Sequence, residues 1–174
     1  TIDGGKKWTT VPSEIKEQLY SLTFTGENLR TGFAVGIYGK ILKSDDGGSS
    51  WKTLNANTSE HLSKVSFFDA NNGAIVGANG LVLITKDGGE NWKSGSPCGQ
   101  FLMTDIKFLS ASKIVTIGQG GCVAQSVDGG ENWTKINMFS RADFLSLAFS
   151  DDKNGWLTDS NGMVWLTGDG GTTW

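Results

Sequence analysis

The run Phe67–Trp92, FFDANNGAIVGANGLVLITKDGGENW, decides how this chain folds. It reads as the end of one strand, a polar turn (DANNG), an apolar strand closing on Gly77, a glycine turn, a second apolar strand, and then the octapeptide Thr85–Trp92. The octapeptide has the form Ser/Thr-x-Asp-Gly-Gly-x-x-Trp, and turn chemistry accounts for each fixed position. An Asp side chain accepts hydrogen bonds from backbone N–H groups just ahead of it, and paired glycines supply positive φ at little steric cost. The Ser or Thr hydroxyl bonds back across the turn, and the Trp offers ~150 to 250 Å² of surface for burial against a neighbour.

The octapeptide occurs five times: TIDGGKKW (Thr1–Trp8), SDDGGSSW (Ser44–Trp51), TKDGGENW (Thr85–Trp92), SVDGGENW (Ser126–Trp133) and TGDGGTTW (Thr167–Trp174). Its structural residues are thus Asp3 and Trp8, Asp46 and Trp51, Asp87 and Trp92, Asp128 and Trp133, and Asp169 and Trp174. The tryptophans recur 43, 41, 41 and 41 residues apart, too regular for chance. Between boxes, Leu22–Phe24, Val65–Phe67, Ile106–Phe108 and Leu147–Phe149 alternate in one register as strand A. A polar turn leads to a compact apolar strand B, a Gly-rich turn to strand C, and the box to strand D, opened by its Trp. Four antiparallel strands in about 41 residues is the period of a β-propeller blade, so the fold class is all-β. The units run about 9–51, 52–92, 93–133 and 134–174, with residues 1–8 the end of a preceding blade.

Composition agrees. The 174 residues include 25 glycines, seven tryptophans and only two prolines, which suits short strands joined by tight turns. Formal net charge is −3, with 15 basic and 18 acidic side chains spread without runs, so nothing reads as a nucleic-acid footprint. No stretch has the 18 or so consecutive apolar residues of a membrane-spanning helix, and no direct membrane insertion is expected. The box glycines precede strands, not helix N-termini, and no Lys-Ser/Thr pair follows, which argues against a phosphate loop. Asp69–Gly73 and Asp151–Gly155 lack the spaced ligands and downstream Glu of calcium loops and read as turns. No metal or other cofactor is expected.

Strand order places the A-to-B turns and the boxes on one rim, and the D-to-A and B-to-C loops on the other. The candidate binding rim therefore comprises Tyr38, Glu60, His61, Asn79, Gln119, Phe139, Arg141, Asp159 and Asn161, a mixture of aromatic and polar groups suited to a protein or peptide partner. The competing reading of any single one is an ordinary solvated loop residue. His61 is the only histidine, so neither a two-histidine metal site nor more than one Ser-His-Asp relay can be assembled. Cys98 and Cys122 fall on this same rim in one blade, placed by topology for a disulfide that would restrict the unfolded chain by roughly 3 to 3.5 kcal/mol. The alternative is two small residues in Gly-rich loops.

The boxes are similar to the BNR or Asp-box repeats of sialidases, sortilin-type receptors and the photosystem II stability/assembly factor group. The last is the nearest resemblance, carried by Phe67–Trp92 and by Phe149–Trp174 (FSDDKNGWLTDSNGMVWLTGDGGTTW) and covering essentially the whole chain. It implies a non-enzymatic propeller that binds a protein or peptide, a membrane-protein complex in the case of the assembly factors, at an extracytoplasmic, periplasmic or lumenal face. The chain departs from that group's Arg-containing basic patch in having only Arg30 and Arg141. The rival class is a carbohydrate-binding or glycoside-hydrolysing propeller with its catalytic residues outside this segment. Sialidase chemistry needs three arginines on a substrate carboxylate, a Tyr-Glu nucleophile pair and an Asp acid, and the arginine clamp is missing here.

The chain opens inside a box and closes on Trp174 with no strand D after it. Four blades closing alone would need Trp8–Val11 as the last strand D, with the boxes at Thr1 and Thr167 competing for one turn. A larger ring of six to eight blades is expected instead, seven being what the resemblance implies. The alternative is two such chains in one eight-bladed ring, each providing the other's missing strand.

Overall fold

The computed structural model describes residues 1, 3–11, 13 and 15–174. Each repeat is an antiparallel meander. The first blade comprises β1 (Leu19–Thr25), β2 (Thr31–Gly36), β3 (Ile41–Ser44) and β4 (Lys52–Leu54), paired in that order. The second is β5 (Leu62–Phe67), β6 (Gly73–Gly77), β7 (Val82–Thr85) and β8 (Lys93–Gly95). The third is β9 (Met103–Phe108), β10 (Ile114–Gly118), β11 (Cys122–Ser126) and β12 (Thr134–Ile136), and the fourth β13 (Phe144–Phe149), β14 (Gly155–Asp159) and β15 (Val164–Thr167). The first strands of successive blades, β1, β5, β9 and β13, lie side by side, which is the blade arrangement of a β-propeller. Strand D begins on the residue after the box Trp and not on the Trp itself, because the indole turns into the junction between blades. Residues 8–11 form no strand, so the fourth sheet keeps three strands.

The boxes form as their chemistry dictates. In Thr85–Trp92 the Thr85 hydroxyl donates to Asp87 Oδ1 (2.8 Å) and accepts from Gly89 N (2.9 Å), while Asp87 Oδ1 also accepts from Asn91 N (2.9 Å). Gly88 and Gly89 sit at φ 69° and 86°, where a Cβ is strained. The same three bonds recur around Asp46, Asp128 and Asp169, and at Asp3 even though no strand flanks it. The first glycine then donates to the neighbouring A-to-B turn: Gly47 N to Arg30 O, Gly88 N to Asn71 O, Gly129 N to Ser112 O and Gly170 N to Lys153 O, each 2.8 or 2.9 Å.

A sheet one strand layer thick has no inside, so the core lies between blades. Phe33, Val35 and Ile41 of the first blade meet Leu62, Val65, Ile75 and Leu83 of the second, with Trp92 against them. Ala74, Val76, Val82 and Ile84 meet Met103, Ile106, Ile114 and Ala124, with Trp133. Val115, Ile117 and Val123 meet Phe144, Leu147 and Leu157, with Trp174. Trp92, Trp133 and Trp174 thus each cover the junction with the preceding blade, whereas Trp8 is 77% exposed. Trp51 and Trp174 donate their indole N–H to Gly48 O and Gly171 O (3.1 and 3.2 Å), whereas Trp92 Nε1 is buried without a partner, its ring edge-on to Phe67.

Polar groups bridge the junctions near the first strands. Asp105, 3% exposed, accepts from Ile106 N (2.9 Å) and across the junction from Leu147 N (3.0 Å), with Lys64 Nζ of the preceding blade at 3.8 Å. Asp69 and Asp151 accept backbone N–H groups of Asn71 and Asn72, and of Lys153 and Asn154, which makes both segments turns.

Two outcomes follow for stability. The hydroxyl, amide and backbone donors around Asp46, Asp87, Asp128 and Asp169 hold these carboxyls down to about 2, below the usual 3.8. The unfolded chain takes up protons first as pH falls, so the stabilisation is complete above about pH 4 to 5 and disappears as pH drops toward about 2. Melting curves should show Tm nearly level from about pH 7 to 5 and falling steeply below about 4; a Tm level down to about pH 2 contradicts the account. Cys98 and Cys122 are joined as a disulfide with Cα atoms 6.0 Å apart and a sequence separation of 24. Reduction, or Cys98→Ala with Cys122→Ala, should lower stability by about 3 kcal/mol, or Tm by roughly 6 to 12 °C, read from thermal melts with and without reductant.

Candidate functional site

The two rims are built differently. On the loop rim the B-to-C turns of the first three blades are seated under the following D-to-A loop: Gly39 N donates to Glu60 O (2.8 Å), Gly80 N to Phe101 O (2.6 Å) and Gly121 N to Ala142 O (2.9 Å), while in the fourth blade Ser160 N donates to Asp143 O (2.8 Å) of the preceding loop. A Cβ added at Gly39, Gly80 or Gly121 would collide with the carbonyl of Thr58, Gly99 or Ser140, so the close approach itself requires glycine. The Cys98–Cys122 bond ties one such loop to one such turn. The loops are thereby held on a fixed scaffold, the arrangement that suits a recognition surface.

Charge is segregated between the rims. On the box rim much of the lysine charge is engaged between blades or across the box: Lys43 pairs with Glu90 (3.4 Å) and donates to Gly88 O (2.8 Å), Lys86 and Lys93 both pair with Glu131, and Lys52 pairs with Asp45 (2.9 Å). The loop rim carries fewer charges; Lys40 pairs with Glu17 (3.2 Å), and Glu60, Arg141 and Asp143 form no ion pair among the described residues. What it displays are large side chains: Tyr38 is 67% exposed, Phe101 46% and Phe139 97%. Aromatic groups with few charges are the composition of a protein-binding surface.

The structure places the sequence-selected residues as follows. Tyr38 projects from its turn in the left-handed region (φ 55°), the place Asn79 takes in the next blade (φ 53°), and its ring lies 5.6 Å from that of His61. Asn79 Nδ2 donates to Glu60 Oε2 (2.9 Å), joining the first and second blades. Gln119 is half-buried and reaches Asp143 (3.5 Å), while Asp143 also accepts from Gly120 N (2.9 Å). Phe139, Arg141 and Asn161 are exposed. Asp159 is a correction: it is only 4% exposed, and its carboxylate is consumed by Trp165 Nε1 (3.0 Å) and by the N–H groups of Asn161 and Met163 (2.9 Å each), so it shapes its turn and offers nothing to a ligand. The Trp165 indole, ahead of those N–H groups, lowers its pKa. Phe101 and Asp143 join the rim although the sequence reading passes over them; both stand in D-to-A loops, and strand order alone suffices to find them. Among the described residues no three His, Cys, Asp or Glu side chains converge to hold a metal ion, and no helix is long and apolar enough to cross a membrane.

Comparison with known proteins agrees with this architecture. YCF48 from Cyanidioschyzon merolae superposes with a TM-score of 0.70 at 20% identity, covering 87% of this chain and 51% of that one, so the chain spans about half of that relative. YCF48 bound to D1 peptide matches at 0.56 and 18%, covering 97% and 70%. A glycoside hydrolase family 74 xyloglucanase from Xanthomonas campestris matches at 0.65 and 18%, covering 99% of this chain and 26% of its own. No match is found among curated proteins. The family model for the photosynthesis system II assembly factor YCF48 matches residues 2–96, more than half of the sequence, and the chain belongs to that family.

Proposed function

We propose that this chain is a non-catalytic propeller segment that binds a peptide or a protein partner through its loop rim, as an assembly or stability factor does. The carrying observation is the contrast between the rims: a clamped, charge-poor loop rim presenting Tyr38, Phe101 and Phe139, and a box rim on which Lys43, Lys52, Lys86 and Lys93 are paired with its carboxylates. The relative with D1 peptide bound supports a peptide as the ligand. The partner in the cell is a segment of a membrane-protein complex, reached from an extracytoplasmic compartment, where the Cys98–Cys122 disulfide is at home. Further blades complete the ring around these four. The likeness to xyloglucanases is one of fold alone.

Anisotropy titration of a fluorescent D1 peptide tests the reading. Saturable binding is expected, weakened about tenfold by Phe139→Ala or Tyr38→Ala, the loss of roughly 1.4 kcal/mol typical of an aromatic contact, and unchanged by Lys86→Ala on the box rim. Turnover of xyloglucan, abolished by Glu60→Gln or Asp143→Asn, would overturn it.

A further inference from the structure

One carboxylate of the loop rim is held in place by its surroundings and has no counter-ion. Glu60 N donates to Thr58 Oγ1 (3.2 Å), its carbonyl accepts from Gly39 N (2.8 Å), and the next carbonyl, that of His61, accepts from Ala78 N (2.8 Å). The backbone at Glu60 is thus fastened to the B-to-C turns of both the first and the second blade. Its side chain is fixed as well, because Asn79 Nδ2 donates to Oε2 (2.9 Å). Among the described residues Glu60 forms no ion pair, whereas Glu17, Glu90 and Glu131 each meet a lysine. The residue is half-buried, so salt and solvent screen its charge incompletely.

The loop register shows that this carboxylate is peculiar to one blade. Glu60, Phe101 and Ala142 occupy one position, that of the residue whose carbonyl receives the turn glycine of the preceding blade. In the third blade the Phe101 ring lies over Gly120, which stands where Asn79 stands in the second. The second blade instead has an open cavity of about 380 Å³, lined by Glu60, Ala78, Asn79, Leu81, Ser94 and Ser96, with Glu60 as its one ionisable group. Its polar atoms are weighted toward acceptors. Asn79 gives an N–H to Oε2 and keeps its own Oδ1, and Ser96 Oγ gives its proton to Gly99 O (3.0 Å). The second blade is flanked by the first and the third, so no further blade is needed to form this site.

We infer that this cavity receives a lysine or arginine side chain of the bound partner, its methylene stem along Ala78 and Leu81 and its cationic head at Glu60. A lone carboxylate among acceptors asks for a group that only donates, and ammonium and guanidinium have no acceptor to leave unpaired. An acidic side chain would meet Glu60 as a like charge, and an aliphatic one would strip water from the carboxylate without replacing its hydrogen bonds. The long stem suits the mixed lining, since Lys and Arg bury their methylenes while keeping the head among polar groups. A metal ion is a poorer occupant, because among the described residues no three His, Cys, Asp or Glu side chains converge here or elsewhere. Asn79 and the backbone hold Glu60 beforehand, so little of its freedom is lost on binding. The inference rests on peptide or protein binding at the loop rim and adds one requirement to it, a cation in the ligand.

Heteronuclear NMR of the 174-residue chain, titrated with Nα-acetyl-lysine N-methylamide into the tens of millimolar, tests the site directly. The Asn79 side-chain amide and the backbone amides of Ala78 and Ser94–Ser96 are expected to shift along saturating curves. The norleucine analogue, which keeps the stem and lacks the charge, is expected to leave them in place. Glu60→Gln preserves the size of the side chain and an oxygen for Asn79, and should remove the lysine shifts while the rest of the spectrum stays unchanged. In the anisotropy titration, D1 peptides carrying one lysine at each position in turn should include one that binds about fivefold tighter than its norleucine counterpart, a gain that falls below about twofold in Glu60→Gln. Norleucine shifts equal to those of lysine, lysine shifts that survive Glu60→Gln, or a peptide that binds yet gains from no lysine would overturn the inference. Lysine shifts without any D1-peptide binding would instead strike the proposed function and leave the Glu60 site standing, and peptide binding with a silent lysine titration would do the reverse.

Discussion

Every feature of this molecule depends on how one blade covers the next. A single antiparallel sheet has two faces and no interior, and its apolar positions are buried only by a neighbouring sheet. The box supplies the joint. Its Thr or Ser, Asp and paired glycines close a turn so tight that the following Trp is thrown sideways, into the seam with the preceding blade. The turn and the packing are one device: without the Asp87 bonds the Trp92 ring loses its direction, and without Trp92 the stacked pair Phe33 and Phe67, 4.0 Å apart, loses its lid.

The same constraint separates work between the rims. Boxes and A-to-B turns occupy one end of the sheets, and their backbone and ionic groups are engaged in holding blades together, as where Lys43 of the first blade reaches the Gly88 carbonyl of the second. The other end carries less of that duty. Its loops are anchored chiefly by backbone bonds, by glycines beneath carbonyls and by the disulfide, so the exposed rings of Tyr38, Phe101 and Phe139 are not needed to hold it. Tyr38 illustrates the difference: a bulky residue kept at φ 55°, where another blade uses Asn, and turned outward into solvent. A residue strained and exposed at once is more readily explained by what it contacts in a complex than by what it does for the fold.

The blades were legible in the sequence because their turns have a chemical signature with little freedom: few residues besides Asp-Gly-Gly fit the box, and the 41-residue period exposes them. The two rims were legible from strand order. Side-chain fate within a rim was not. Asp159 carries the same one-letter code as any solvated loop aspartate, and only the fold brings Trp165 and two backbone N–H groups onto it. The disulfide was open to either reading because proximity of two loop tips is a tertiary fact. Asp105 gave no signal at all, since it stands between polar neighbours in β9 (Thr104 and Lys107) and its partners, Lys64 and Leu147 N, come from the two adjoining blades.

That inner polar seam explains how repeats of such different sequence keep a common geometry. Apolar contacts are non-directional, so alone they leave each blade free to slide along its neighbour. The seam removes that freedom by aiming side chains of one first strand at the backbone of the next. Ser21 Oγ accepts from Val65 N (3.2 Å), Ser63 Oγ donates to Met103 O (2.5 Å), Thr104 Oγ1 donates to Phe144 O (2.7 Å), and Asp105 accepts from Leu147 N. Hydrogen bonds of defined direction thus fix the register of each junction, where the hydrophobic surface supplies most of its strength. Because each D-to-A loop runs straight into one of these strands, the register fixed at the three junctions is also the register of the loop rim.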